Sequence, residues 1–377
     1  MNGGPSMREN LVIGAGLAGA MVALRLAAAG RDVLVLEKER DAHHKVCGEF
    51  LSPEAVTYLR QAGVDPLHLG ATAITKLRIS AKARVVEAKL PFCALSVSRS
   101  VLDTNLLARA QETGCDVRTG VTVEALSREG QGWTARLSDG TAQFGGNVFL
   151  ATGKHDLRGW NRPPGRQGDL VGFKLHWRLS PDQTQALRGF MDLFLFDGGY
   201  GGIALVENDM ANLCLVVRRS RLRILGGWNE LLGRLREDNA LIAQRLAGAA
   251  SDWERPLAIS SIPYGYLATG ECGVWRVGDQ AAVIPSFTGD GMAIALHSGA
   301  LAVDMYLGGK SAAEYQHRLH AQLNRQMVLA TALSRAMVSF AGRQLAPSAL
   351  AMAPRAISWI ATSTRIPPHA LLGACPR

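Results

Sequence analysis

Asn10-Leu11-Val12-Ile13-Gly14-Ala15-Gly16-Leu17-Ala18-Gly19, continued by Ala23, Leu26, Gly30, Val33 and Glu37, is the stretch that decides the fold. Asn10 to Ile13 reads as a buried strand, Leu17 to Ala29 as an Ala/Leu-rich helix ended by Gly30, and Val33 to Leu36 as a second buried strand. A lone Gly-x-Gly-x-x-Gly says little, because glycines are common in turns. Here the whole extended βαβ pattern surrounds it. Gly14 makes the tight turn, Gly16 lets the backbone approach a pyrophosphate, and Gly19 with Ala23 lets the helix lie close on the sheet. Leu17 and Ala18 open the helix, where free N–H groups and the helix dipole favour an anion. Glu37 ends the second strand, placed to accept hydrogen bonds from a ribose, with Lys38 beside it. The unit binds a dinucleotide, and NAD and FAD proteins share it.

Working outward, 377 residues suggest two domains, or one large α/β domain carrying an insertion. Hydrophobic residues at 47% and charged residues at 19% are those of a globular chain and exclude disorder. Cys47, Cys93, Cys115, Cys214, Cys272 and Cys375 are scattered, without a Cys-x-x-Cys pair or a zinc-like His spacing, which predicts free thiols in a reducing cytoplasm and no metal. The chain reaches strand-like sequence too early for a signal peptide, and no uncharged apolar run reaches the roughly 18 residues of a membrane span. Of the net charge of +9, seven charges come from Arg318, Arg325, Arg335, Arg343, Arg355, Arg365 and Arg377, since no Asp or Glu follows Glu314. Nucleic acid would call for clustered cations with interleaved aromatics, and these arginines are spread among Ala, Leu and Met. Two readings of this tail remain: a basic amphipathic surface able to lie on an anionic bilayer, or helices packed over the dinucleotide domain with their arginines in water.

Along the chain, Ile74 to Val97 alternates as strands and Leu102 to Glu112 reads as a helix. Short strands follow from Val117 to Phe149, with a turn at Ser138-Asp139-Gly140. The breaker cluster Asn161-Arg162-Pro163-Pro164-Gly165 marks a domain crossing. Beyond it Val171 to Leu179, Phe190 to Phe196, Gly202 to Val206 and Leu213 to Val217 read as strands, with Asn208-Asp209 a hairpin turn. Leu222 to Leu246 reads as one amphipathic helical stretch. A strand at Gly273 to Val277 precedes a glycine-rich loop and a helix from Gly291 to Leu307, and the tail is helical with breaks at Pro347 and Pro354.

The late strand runs into Gly278-Asp279, Pro285 and Gly289-Asp290-Gly291-Met292. With the early βαβ unit, this set resembles the flavoprotein superfamily that includes para-hydroxybenzoate hydroxylase-type monooxygenases, flavin halogenases and geranylgeranyl reductases. Two more stretches are similar to it: Arg99 in Val97-Ser98-Arg99-Ser100, and Lys45 to Pro53, whose Cys47-Gly48 and Leu51-Ser52-Pro53 are closest to the geranylgeranyl reductases. The resemblance implies FAD as cofactor. It implies Asp279 at the ribityl chain, Arg99 near the phosphates, Gly289 to Met292 at the isoalloxazine, and Cys47 with Gly48 along the flavin. Gly153 closes the central sheet, as in many two-dinucleotide flavoproteins. The implied fold is α/β: a Rossmann-like FAD-binding domain split in sequence (7–73, 99–160 and 263–310), an inserted β-rich α+β substrate domain (74–98 and 161–262), and a helical C-terminal region (311–377).

Departures from the family pattern narrow the activity. Lys154-His155-Asp156 stands where aromatic hydroxylases carry Asp-Gly; Lys154, His155 and Arg158 either meet a nicotinamide phosphate or form a solvated basic loop. A second dinucleotide fingerprint is missing, so NAD(P)H is expected only as a transient reductant. Gly198-Gly199-Tyr200-Gly201-Gly202 replaces the tryptophan-bearing strand of reductases and halogenases, leaving either open volume above the flavin or a bulge. Cys47 is either a small buried filler or a proton donor at the substrate face. The leading expectation is a monooxygenase of an apolar or phenolic small molecule, using NAD(P)H and oxygen in a pocket that excludes water. The alternative is reduction of an alkene in an isoprenoid or lipid substrate, as in geranylgeranyl reductases.

Overall fold

The computed structural model describes residues 7–270, 273–339 and 354–372. Cys272, Cys375, Arg343, Arg377 and the break at Pro347 lie outside the described residues. From the N-terminus, β1 (Arg8–Ile13), α1 (Leu17–Ala28) and β2 (Val33–Leu36) are followed by β3 (Phe50–Leu51) and α2 (Pro53–Gln61). A long hairpin of β4 (Thr72–Ala81) and β5 (Arg84–Ser96) comes next. The chain then returns through α3 (Arg99–Glu112), β6 (Asp116–Arg118), β7 (Val123–Glu129), β8 (Gly132–Leu137) and β9 (Ala142–Leu150). The following segment holds β10 (Leu170–Trp177), α4 (Pro181–Leu187), β11 (Gly189–Phe196), β12 (Gly199–Leu205) and β13 (Ala211–Arg218). It closes with α5 (Arg219–Leu225), α6 (Trp228–Asp238), α7 (Ala240–Arg245) and β14 (Leu257–Ser260). The last elements are β15 (Tyr266–Leu267), β16 (Trp275–Arg276), β17 (Ala282–Val283), α8 (Gly291–Leu307), α9 (Ala312–Met337) and α10 (Pro354–Ser363).

Two sheets organise these elements. In the first, β6, β2, β1 and β9 run parallel in that order, β16 extends the C-terminal half of β9, and β8 and β7 form an antiparallel flap on its N-terminal half. Buried on both faces, Leu11 to Ile13 of β1 and the whole of β2 are apolar, as a covered parallel sheet requires. Small residues set the helix spacing above this sheet. A Cβ on Gly19 would lie 1.9 Å from the Gly14 carbonyl oxygen, and one on Gly299 would lie 2.7 Å from that of Ala18, so α1 and α8 cross almost backbone to backbone. The second sheet has the order β14-β10-β13-β12-β11-β4-β5-β3 and joins a hairpin from early in the chain to strands from its middle.

The stretch from Leu222 to Leu246 is helical as expected, divided among α5, α6 and α7. Gly226 ends α5 in the left-handed region at φ 98°, and Asn239 caps α7 by accepting from the Ile242 amide at 3.2 Å. The open volume expected at Gly198 to Gly202 is also largely filled: a Cβ on Gly199 would strike the Phe196 ring at 2.4 Å and one on Gly201 the Phe194 ring at 2.3 Å. Those glycines make room for the core of the second sheet.

The C-terminal segment straps the two halves together. Ile357 of α10 packs with Phe50, Ile74, Leu77, Ala94 and Met191, while Ile366 and Ala370 enter the core around α1 and α8. The Leu372 amide donates to the Tyr58 hydroxyl at 3.1 Å. Arg365, one of the tail arginines, is turned inward, its guanidinium 3.1 Å from Asp290 and over the rings of Phe50 and Phe92.

Candidate functional site

The N-terminus of α1 faces an anion site. Gly16 is its N-cap and has no side-chain cap, so the first helical N–H groups point outward unpaired. A Cβ on Gly16 would meet only the tips of Lys45 at 3.6 Å and Arg99 at 3.7 Å. Both cations are fixed by one carboxylate: Asp103 accepts two hydrogen bonds from Arg99, at 2.7 and 2.8 Å, and one from Lys45 at 2.7 Å. Burial pushes the Asp103 carboxyl up, but Arg99 and Lys45 outweigh it and hold it below its ordinary value. Lys45 and Asp103 escaped the sequence reading, although Arg99 and Asp103 stand four apart on a helix and can pair there.

At the far end of β2, Glu37 accepts from the Ala15 and Glu39 amides at 2.7 and 3.0 Å, which aims its carboxylate across the Gly14 turn. Lys38 instead points to solvent and pairs with Glu39. Leu17 and Ala18 are buried at the helix start, and Ala18 packs against Gly278, whose amide donates to Ser298 at 2.8 Å. Asp279 is half-buried beside them, and its carboxylate takes no hydrogen bond from the described residues; only its backbone carbonyl is engaged, by Arg162. Pro285 leads to Gly289, held at φ 69° against the Phe50 ring. α8 then starts at exposed Gly291, with Met292 buried behind it. Gly48, Gly153 and Gly291 have nothing within 4 Å of a Cβ position. This rim of open glycine backbone, with two uncapped helix N-termini, two cations and a free carboxylate at Asp279, fits FAD: the anion ends meet donors and the hydroxyls meet carboxylates. Asp279→Ala therefore weakens FAD by on the order of 1.5–3 kcal/mol, read by titrating apoprotein with FAD; unchanged affinity would take Asp279 out of the site.

Where Cys47 and Gly48 run between the halves, the segment is tied from several sides. Asn212 of β13 donates to the Cys47 carbonyl at 3.1 Å, and Lys154 donates to the Val46 carbonyl, so that lysine belongs to a tether rather than a solvated loop. Cys47 is partly buried, next to the Arg99 guanidinium. Cys47, Cys93, Cys115 and Cys214 are free thiols, and burial, with Cys47 nearby, pushes the Cys214 thiol up to about 12.

Beneath this segment lies a cluster that the sequence did not announce. Glu49, fully buried, accepts from the Lys174 ammonium, from His176 Nε2 at 3.0 Å and from the Arg99 amide at 2.7 Å. Burial opposes its charge, but His176 and Lys174 hold its carboxyl below the ordinary value. The available signal was Lys174 and His176 two apart in an otherwise apolar strand, since period 2 places them on one face. Other histidines are structural: His297 is buried between Tyr58 and Gln322, and His43 stays on the surface loop.

Comparison with known proteins agrees with this geometry. The FAD binding domain family matches residues 8–147. The menaquinone reductase of Mycobacterium tuberculosis is 28% identical over 324 residues, covering 78% of this chain and 75% of that protein. Digeranylgeranylglycerophospholipid reductase 2 of Methanopyrus kandleri is 28% identical over 312 residues, covering 78% and 75% respectively. The myxobacterial chondrochloren halogenase CndH superposes with a TM-score of 0.75 at 20% identity over 96% of this chain and 91% of its own, a likeness of fold. No helix among the described residues is long and apolar enough to cross a membrane. The glycine rim, the paired cations at the first helix and the relatives that align across both sheets have one common explanation: the chain is an enzyme of the FAD-dependent oxidoreductase superfamily.

Proposed function

We propose that the chain reduces a carbon–carbon double bond in an isoprenoid or lipid substrate. The observation that carries this reading is the place of Cys47, a free thiol on a tethered segment between open Gly48 and Arg99, at the junction of the FAD-binding half and the second sheet. FAD held by the glycine rim, Lys45, Arg99 and Asp279 would supply hydride chemistry when bound, with NAD(P)H as the transient reductant. Cys47 supplies the proton, and Asn212 and Lys154 keep its segment in register. The names of the two aligned reductases support the same class of substrate.

The second reading, hydroxylation of an apolar or phenolic small molecule with NAD(P)H and oxygen, is favoured by one observation. The tryptophan-bearing strand of the reductases is replaced here by Gly198 to Gly202. Cys47→Ser separates the two. Under anaerobic conditions with a polyprenyl quinone in micelles, the variant keeps its FAD and loses alkene reduction by about 100-fold or more, as loss of a general acid does. Oxygen-dependent hydroxylation at an undiminished rate in the variant establishes the second reading instead. Joint loss of FAD and activity makes Cys47 a packing residue.

A further inference from the structure

Saturating a double bond with a hydride and its electron pair leaves one proton to be supplied. If the Cys47 S–H bond breaks to give it, the second C–H bond forms and a thiolate remains, which needs one proton from water before the next turnover. The apolar wall around Phe50 offers no route. We infer that Lys174, Glu49, His176 and His44 form a buried proton relay connecting the Cys47 segment, and the flavin site beside it, to solvent.

The geometry runs in one direction. Lys174 faces Cys214 in the β10–β13 register, and His176 faces Asn212, the residue that holds the Cys47 carbonyl. Glu49 bridges Lys174 and His176 with its two oxygens. The His176 ring lies 4.7 Å from that of His44, and both rest against Trp253, at 5.0 and 4.9 Å. His44 is half-buried, on the loop that leads to the surface, and its buried Nδ1 has no hydrogen-bond partner among the described residues. Burial, with Lys174 and His176 nearby, lowers His44 to about 4, so at neutral pH its ring is uncharged and carries one N–H and one lone pair, the form in which an imidazole hands a proton across. Glu49 sits at φ 56°, a conformation that costs a non-glycine residue on the order of 1 kcal/mol and is retained where the surroundings require it.

His44, Glu49 and His176 also place three ligand atoms within 4.8 Å of one another, the spacing of a metal site. The Lys174 ammonium already sits on Glu49, and a divalent cation there would face a buried like charge. A purely structural ion pair would hold the segment in place but would carry no protons.

The relay rests on the FAD site, and on the alkene reading only for the direction of proton flow, so it is tested without an alkene. Photoreduced holoprotein is mixed with ferricyanide in weak buffer containing phenol red; two ferricyanide ions each take one electron, and the proton of the reduced flavin goes to water. In the wild type the dye follows flavin reoxidation. In His176→Gln and Glu49→Gln, with FAD content unchanged, the dye lags by about tenfold or more. The half-buried position is probed by His44→Ala, which lags likewise and is restored by added imidazole. Dye and flavin traces that coincide in all three variants overturn the relay, as does a stoichiometric metal ion in the wild-type holoprotein. A relay that behaves as described in a protein unable to reduce any alkene leaves the relay standing and removes the substrate reading.

Discussion

Gly16→Val protein is expected to fold and to purify colourless, whereas Gly19→Val does not accumulate as folded protein. The two glycines belong to one fingerprint but meet different neighbours. A Cβ at Gly16 finds only the ends of Lys45 and Arg99, at ordinary contact distances. The apoprotein tolerates it. What the added side chain meets is the pyrophosphate itself, so FAD affinity falls by at least about 100-fold, or ~2.7 kcal/mol. A Cβ at Gly19 lies 1.9 Å from the Gly14 carbonyl oxygen, which is backbone and cannot swing aside. Lifting α1 off the sheet costs more than about 3 kcal/mol, a large share of a stability of roughly 5–15 kcal/mol. Flavin absorbance and circular dichroism of the two proteins check both halves. Full FAD content in Gly16→Val would remove the fingerprint from the pyrophosphate site.

Replacing Arg365 by Leu is expected to destabilise the FAD-loaded protein by about 3–5 kcal/mol at pH 7.5, and by clearly less at pH 5. Asp290 is fully buried at the start of α8, accepting from Arg365 and, at 3.3 Å, from Ser52, while its second oxygen has no hydrogen-bond partner among the described residues. Burial lifts it to about 6, against the pull of Arg365, where an unfolded Asp titrates near 3.8. The folded state therefore binds the proton more tightly than the unfolded one. Stability falls as pH rises from about 4 to about 6, and above that the cost of the buried charge is complete. Without Arg365 the folded value rises further and the loss extends to higher pH. Protonation of Asp290 at low pH removes the uncompensated charge and returns much of the stability. Thermal unfolding at the two pH values measures this. An equal loss at both would mean that Arg365 acts through packing on Phe50 and Phe92, not through Asp290.

Much of the FAD-binding half was legible because its signals are local. Gly14, Gly16, Gly19 and Glu37 sit within one βαβ unit, where strand period, turn glycine and helix start occupy a short window. The same holds for Gly278 to Gly291, a strand, a turn and a helix start in succession. Lys38 follows Glu37 beyond the end of β2, where successive side chains alternate in direction, and in the structure it is exposed and pairs with Glu39. The helical stretch read from Leu222 to Leu246 is helical, but amphipathic spacing persists across Gly226-Gly227 and the Asn239 cap and so does not show where it divides.

By itself the sequence determined the dinucleotide unit, the α/β class and, through the family resemblance, FAD as cofactor. Those conclusions rest on the period of apolar residues and on glycines whose backbone demands are set within a few residues. Only the tertiary structure decided that Asp103 gathers Lys45 and Arg99 at the first helix, that Glu49 meets Lys174 and His176 from 125 and 127 residues away, and that Arg365 reaches Asp290 from the far end of the chain. Buried charges need partners, but spacing along the chain does not say which strand will pass within 3 Å; sheet register and the close crossing of α1 and α8 do.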